Sequence, residues 1–161
     1  MVKVGDRIPS VTLPCQLGDV VTQVDIAELI AGKKAVIFGM PGAYTSTCSA
    51  THLPSLIRTA DGLREKGVEE LIVFVVNDVR VTEHWGRTSG ATDKGIMILA
   101  DWNSELTKAL GLEFSNPDIG FKDRTQRCAM YIEDGVVKIL QMETEKGVCD
   151  LTAGETLLDA I

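Results

Sequence analysis

The chain has 161 residues, enough to bury one substantial core, and no compositional break divides it, so residues 1–161 read as a single domain. Apolar residues make up 45% and charged residues 24%, the balance of a globular protein rather than a disordered or fibrous one. A net charge of −7 argues against nucleic acid or an anionic membrane as partner, because either needs a clustered positive surface.

The longest purely apolar run, Leu71 to Val76, is far short of a membrane span, and the opening MVKVGDRIPS holds no apolar signal segment. The expectation is a soluble, cytoplasmic protein, with an organellar address left open. Four cysteines, Cys15, Cys48, Cys128 and Cys149, are too few and too dispersed for a disulfide scaffold, and no CxxC pair is present. Each cysteine has to be weighed by itself.

Val11 to Leu13 and Val20 to Thr22 flank Gly18-Asp19 and read as a hairpin. Asp25 is placed to cap a short helix through Ile26, Leu29 and Ile30, and Lys34 to Met40 reads as a strand ended by Pro41-Gly42. Leu53, Leu56, Ile57, Ala60 and Leu63 recur at helical spacing, which predicts a helix from Cys48 to about Lys66. Leu71 to Asn77 has the pattern of a strand covered on both faces. Helices over Val79 to Arg87 and Ser104 to Leu110 flank a strand at Ile96 to Ala100. Ser115 to Gln126 reads as a long polar loop. Arg127 to Ile132 and Val136 to Met142 flank the Asp134-Gly135 turn, and a helix runs from about Gly154 to Ile161. This order predicts an α/β fold with a mixed central sheet and helices on both faces.

Chemistry concentrates at Pro41-Gly42-Ala43-Tyr44-Thr45-Ser46-Thr47-Cys48. A cysteine in the first turn of a helix meets unpaired N–H groups and the positive end of the helix dipole, and both favour the nucleophilic thiolate. Thr45 is spaced to put a hydroxyl beside the sulfur, as donor to the thiolate and acceptor from an incoming O–H. Pro41 shields the sulfur and stiffens the turn.

PGAYTSTC resembles the peroxiredoxin pattern of proline, three residues, threonine, two residues and cysteine. The run VIFGMPGAYTSTCSATHLP, then VNDVRVTEHWG and RTQRCAM, is similar to the type II, peroxiredoxin 5-like branch along nearly the whole chain. The resemblance implies a thioredoxin-like fold and a thiol peroxidase in which Cys48 is the peroxidatic cysteine, Thr45 and Pro41 line its pocket, and Arg127 stabilises developing negative charge. It implies hydrogen peroxide and alkyl hydroperoxides as substrates, thioredoxin or glutaredoxin and glutathione as reductants, a homodimer, and no cofactor or metal. Ser46 stands where many members have proline, and Cys128 where phenylalanine or tyrosine is common.

Some members carry a resolving cysteine near Cys149, which implies that role here; the alternative is an unreactive loop thiol with an external thiol resolving Cys48. The glycine-containing segment around Cys149 is expected to be exposed and mobile. His52 lies one helical turn after Cys48 and reads as packing, as do His84 and Trp85. Cys15 and Cys128 read as structural. The other function classes the chain allows are a thiol–disulfide oxidoreductase, disfavoured by the missing CxxC, and a redox-responsive binding or chaperone module.

Overall fold

A computed structural model describes residues 1–161. A five-stranded sheet runs through the molecule in the order β5-β4-β3-β8-β9. Its strands are β3 (Lys34–Met40), β4 (Glu70–Val75), β5 (Ile96–Ala100), β8 (Cys128–Glu133) and β9 (Val136–Met142). β3, β4 and β5 are parallel, while β8 and β9 run antiparallel to their neighbours. A separate hairpin pairs β1 (Thr12–Leu17) with β2 (Val20–Asp25).

β3 is the middle strand, and its side chains alternate between two cores. Val36, Phe38 and Met40 face the helix pair α2 (Leu53–Glu65) and α5 (Gly154–Ala160) and Trp85 of α3 (Val79–Ser89). Ala35 and Ile37 face a second core built with the β1–β2 hairpin, α1 (Ile26–Ile30) and α4 (Glu105–Ala109). Both faces of the sheet are thus covered, as the sequence pattern predicted. Leu53, Leu56, Ala60 and Leu63 form the buried stripe of α2. Full burial of each leucine is worth roughly 1.5–3 kcal/mol before chain entropy is counted.

Local signals set the helix starts. The Asp25 carboxylate accepts from the Ala27 and Glu28 N–H groups at 2.9 and 3.1 Å, and Asp78 caps α3 in the same way.

Two expectations are corrected. The polar stretch predicted as a loop contains a hairpin of β6 (Glu113–Asn116) and β7 (Phe121–Thr125), joined by a 3₁₀ turn at Pro117–Ile119. Each of its short strands holds a single apolar residue, Phe114 or Phe121, so neither alternation nor an apolar run marks it in the sequence. The helix after the Cys48 loop also does not begin as a regular α-helix. Residues Cys48–His52 form a π-turn, in which the Leu53 N–H reaches back five residues to the Cys48 carbonyl. Pro54 follows at once, and having no N–H it loses no hydrogen bond when the ladder shifts register there.

Candidate active site

The sheet register builds the site. β3 and β8 pair antiparallel with Gly39 opposite Cys128, so Arg127, one residue before β8, lies beside the end of β3 from which the chain turns toward Cys48. Gly39 leaves the space this needs: a Cβ there would sit 2.8 Å from Cys128 Sγ and from the Phe74 ring. Cys128 itself is fully buried, and burial pushes its thiol up to about 12, so it stays protonated as part of the core. Cys15 is also buried.

Cys48 is fully buried at the base of the loop. The Arg127 guanidinium donates through Nη2 to Cys48 Sγ at 3.3 Å and through Nη1 to His52 Nδ1 at 2.9 Å. Arg127 takes part in none of the chain's ion pairs. Its charge is therefore available to the sulfur rather than neutralised by a carboxylate.

Thr45 does not donate to the sulfur as expected. Its hydroxyl donates to the Gly42 carbonyl at 2.8 Å, which leaves the oxygen lone pairs as acceptors in the cavity that Thr45 shares with Pro41 and Arg127. That cavity, about 190 Å³, is walled by Phe114, Phe121 and Ile119 from the hairpin that the sequence pattern missed. Arg124, on β7, donates to the Pro41 carbonyl at 3.1 Å and lies 4.7 Å over the Phe121 ring. Gly42 makes this approach possible, because a Cβ there would lie 2.3 Å from Arg124 Nη1.

His52 is not simple packing. The Thr152 carbonyl, 2.9 Å from Nε2, can only accept, and the Arg127 guanidinium can only donate. The ring is therefore neutral, with its proton on Nε2. Burial, followed by the nearby Arg127 charge, lowers its pKa from 6.5 to about 3. Periodicity alone could not separate this histidine from an ordinary core residue, since the partners lie 75 and 100 residues away in sequence.

The depressed value has a consequence for stability. Between pH 6.5 and 3 the unfolded chain binds a proton at His52 that the folded chain does not, so stability is full above that range and falls as pH drops through it. From pH 6.5 to 5 the expected loss is about 2 kcal/mol. The depressed carboxylates of Asp6, Asp25, Asp123 and Glu143 have ordinary values of 3.8 or 4.5, so their losses fall at lower pH. Urea midpoints at pH 7 and 5 measure this, and His52→Gln should flatten the difference. An equal slope in both proteins would remove His52 as its source.

Cys149 is half-buried rather than exposed, and burial raises its thiol pKa. The segment around it is tied at several points. The Thr47 hydroxyl donates to the Gly147 carbonyl at 2.8 Å, and Lys146 lies 5.3 Å over the Phe114 ring. One Glu143 carboxylate oxygen accepts from Asp150 N, Thr152 N and Thr152 Oγ1 at 2.9, 2.8 and 2.7 Å. Trp85 is buried and donates to Ser49 Oγ at 3.1 Å, beside Cys48 in sequence, while His84 on the same helix meets the hydroxyl of exposed Tyr44.

The Redoxin family model matches residues 3–158. The chain is 42% identical to Peroxiredoxin-2E-2, chloroplastic, of Oryza sativa subsp. japonica, over 99% of this chain and 72% of that protein. It is 36% identical to Peroxiredoxin-2B of Arabidopsis thaliana over 99% and 98% of the two chains. The crystal structure of reduced Prx3 in complex with H₂O₂ from Vibrio vulnificus superposes with a TM-score of 0.90 at 40% identity, covering 99% of this chain and 96% of that one. Sequence, thioredoxin-like fold and site geometry agree, and the chain belongs to the redoxin family and, within it, to the type II peroxiredoxins.

Proposed function

We propose that the protein is a thiol-dependent peroxidase whose nucleophile is Cys48, acting on hydrogen peroxide and small alkyl hydroperoxides. The observation that carries this is the unneutralised Arg127 guanidinium, which lines a cavity with Pro41 and Thr45 and donates to the buried Cys48 sulfur at 3.3 Å. The thiolate attacks the terminal oxygen of ROOH, so that an S–O bond forms as the O–O bond breaks. The alkoxide leaves and takes a proton to become ROH, and Cys48 becomes a sulfenic acid. Arg127 stabilises the negative charge as it passes from sulfur to oxygen. Thr45 accepts the peroxide O–H, and Pro41, held by Arg124, walls the sulfur from bulk water.

Cys149 serves as the resolving cysteine: its thiol condenses with the Cys48 sulfenic acid, forming an S–S bond and releasing water. Cys48 is fully buried and the segment around Cys149 is tied, so in this scheme that segment and the first turn after Cys48 open to bring the two α-carbons within the about 7 Å that a disulfide needs. Thioredoxin, or glutaredoxin with glutathione, then reduces the disulfide. The protein works as a homodimer joined through the loops around the cavity, a reading supported by the exposed ring of Tyr44, the residue before cavity-lining Thr45. A cytoplasmic location is kept beside an organellar one, which the chloroplastic name of the rice relative supports.

Peptide mapping by mass spectrometry after one equivalent of hydroperoxide tests this scheme. A Cys48–Cys149 bond within one chain is expected, and Cys149→Ser should stop at the Cys48 sulfenic acid and turn over poorly with thioredoxin. Oxygen found on another cysteine would overturn the assignment of Cys48. Full turnover of Cys149→Ser would make this a one-cysteine enzyme resolved by an external thiol.

A further inference from the structure

His52 has no part in the chemistry just described, yet it is fully buried and both ring nitrogens are paired. Burying an imidazole is unfavourable compared with burying an apolar side chain unless both nitrogens find partners, so simple space-filling does not account for it. What it touches does. A guanidinium offers five N–H donors, and its direction is set by the acceptors it meets. A carboxylate in the place of His52 would aim Arg127 equally well but would draw its charge away from the sulfur. A neutral imidazole lone pair supplies aim without neutralisation.

The other end of the ring is anchored to a particular place. Thr152 O belongs to the turn that Glu143 clasps, and the Thr152 hydroxyl lies 3.9 Å from Cys149 Sγ. A continuous series of hydrogen bonds therefore runs from Glu143, through the Asp150–Thr152 turn, to His52, Arg127 and Cys48.

We propose, resting on the roles given above to Cys48 and Arg127, that His52 is a positioning residue. It aims Arg127 at the Cys48 sulfur and keys that aim to the Thr152 carbonyl, so the arginine is held most firmly while the Cys149 segment is seated. Peroxide attack then belongs to the seated state. Release of the segment, needed for resolution, loosens the arginine after its work is done.

The two amide variants separate the two ends of the ring. Asparagine at 52 places an acceptor near the position of Nδ1, facing Arg127, whereas glutamine places a donor near Nε2, facing Thr152. The rate of Cys48 oxidation by hydrogen peroxide, followed by quenched flow and mass spectrometry, should fall roughly 10–100-fold in His52→Gln, the range expected for a misplaced catalytic group. It should stay within about fivefold of wild type in His52→Asn. Equal losses in both variants, with urea midpoints matched, would reduce His52 to packing and overturn the proposal, as would wild-type rates in His52→Gln.

Glu143→Ala provides the second test, should a variant at 52 fail to fold. Freeing the turn should slow oxidation several-fold in the wild-type background, and it should add nothing in the His52→Gln background. An unchanged rate for Glu143→Ala alone, or two independent effects that multiply, would show that the segment does not act through His52. If wild-type Cys48 took up no oxygen at all, the peroxidase reading itself would be lost, an outcome distinct from all of these.

Discussion

Cys48→Ser is expected to reduce hydroperoxide turnover to the solution background, a loss of at least roughly 10⁴-fold, comparable with removing the nucleophile of other covalent catalysts. The reason is chemical. A serine hydroxyl is a far weaker nucleophile than a thiolate, and its oxygen cannot take up the oxygen atom that sulfur accepts on becoming a sulfenic acid. The replacement is nearly isosteric, and its hydroxyl can still accept from Arg127, so the fold should survive. Steady-state peroxide consumption with a thiol reductant measures the effect. Residual Cys149-dependent turnover in the variant would move the nucleophile to Cys149.

Arg127→Gln should slow the second-order reaction of Cys48 with peroxide by about 10²–10³, the usual loss when a donor aimed at developing charge is removed. Glutamine can still offer an N–H to one neighbour, but it is neutral and cannot serve the sulfur and His52 together. Arg127→Lys should also fall short, since an ammonium keeps the charge without the planar pair of donors that now reach His52 Nδ1 and Cys48 Sγ. Stopped-flow oxidation at several peroxide concentrations gives the rate constants. Wild-type rates in both variants would take Arg127 out of the reaction.

Much of this molecule was legible before its structure. β3 announced itself as an apolar run closed by Pro41-Gly42, and the Asp25 cap and Asp134-Gly135 turn fell where local chemistry put them. Cys48 was conspicuous because its setting is local: a turn, hydroxyls and a helix start within eight residues. The pocket hairpin is hidden because its two short strands hold only Phe114 and Phe121 as apolar residues, too few for an alternation to show. The partners of His52 are hidden for a different reason. The position of this histidine gives it the same face as the buried stripe of α2, and nothing in the neighbouring residues announces that Arg127 and Thr152 will meet its two nitrogens. Sequence spacing alone cannot separate the sulfur from the Gly42 carbonyl as partner of the Thr45 hydroxyl, which donates to the carbonyl.

The β3–β8 register has a consequence for how the enzyme comes into being. Cys48 and its arginine are 79 residues apart in sequence, and His52 and its carbonyl partner 100 apart. A growing chain therefore exposes Cys48 long before Arg127 and Thr152 have been synthesised. Until β8 closes against β3, and the C-terminal turn docks on the ring, that cysteine carries no more than the chemistry of its own turn. On the roles proposed for Cys48 and Arg127, peroxide reactivity arrives with completion of the fold, and a nascent or unfolded copy is expected to be oxidised more slowly than the finished protein.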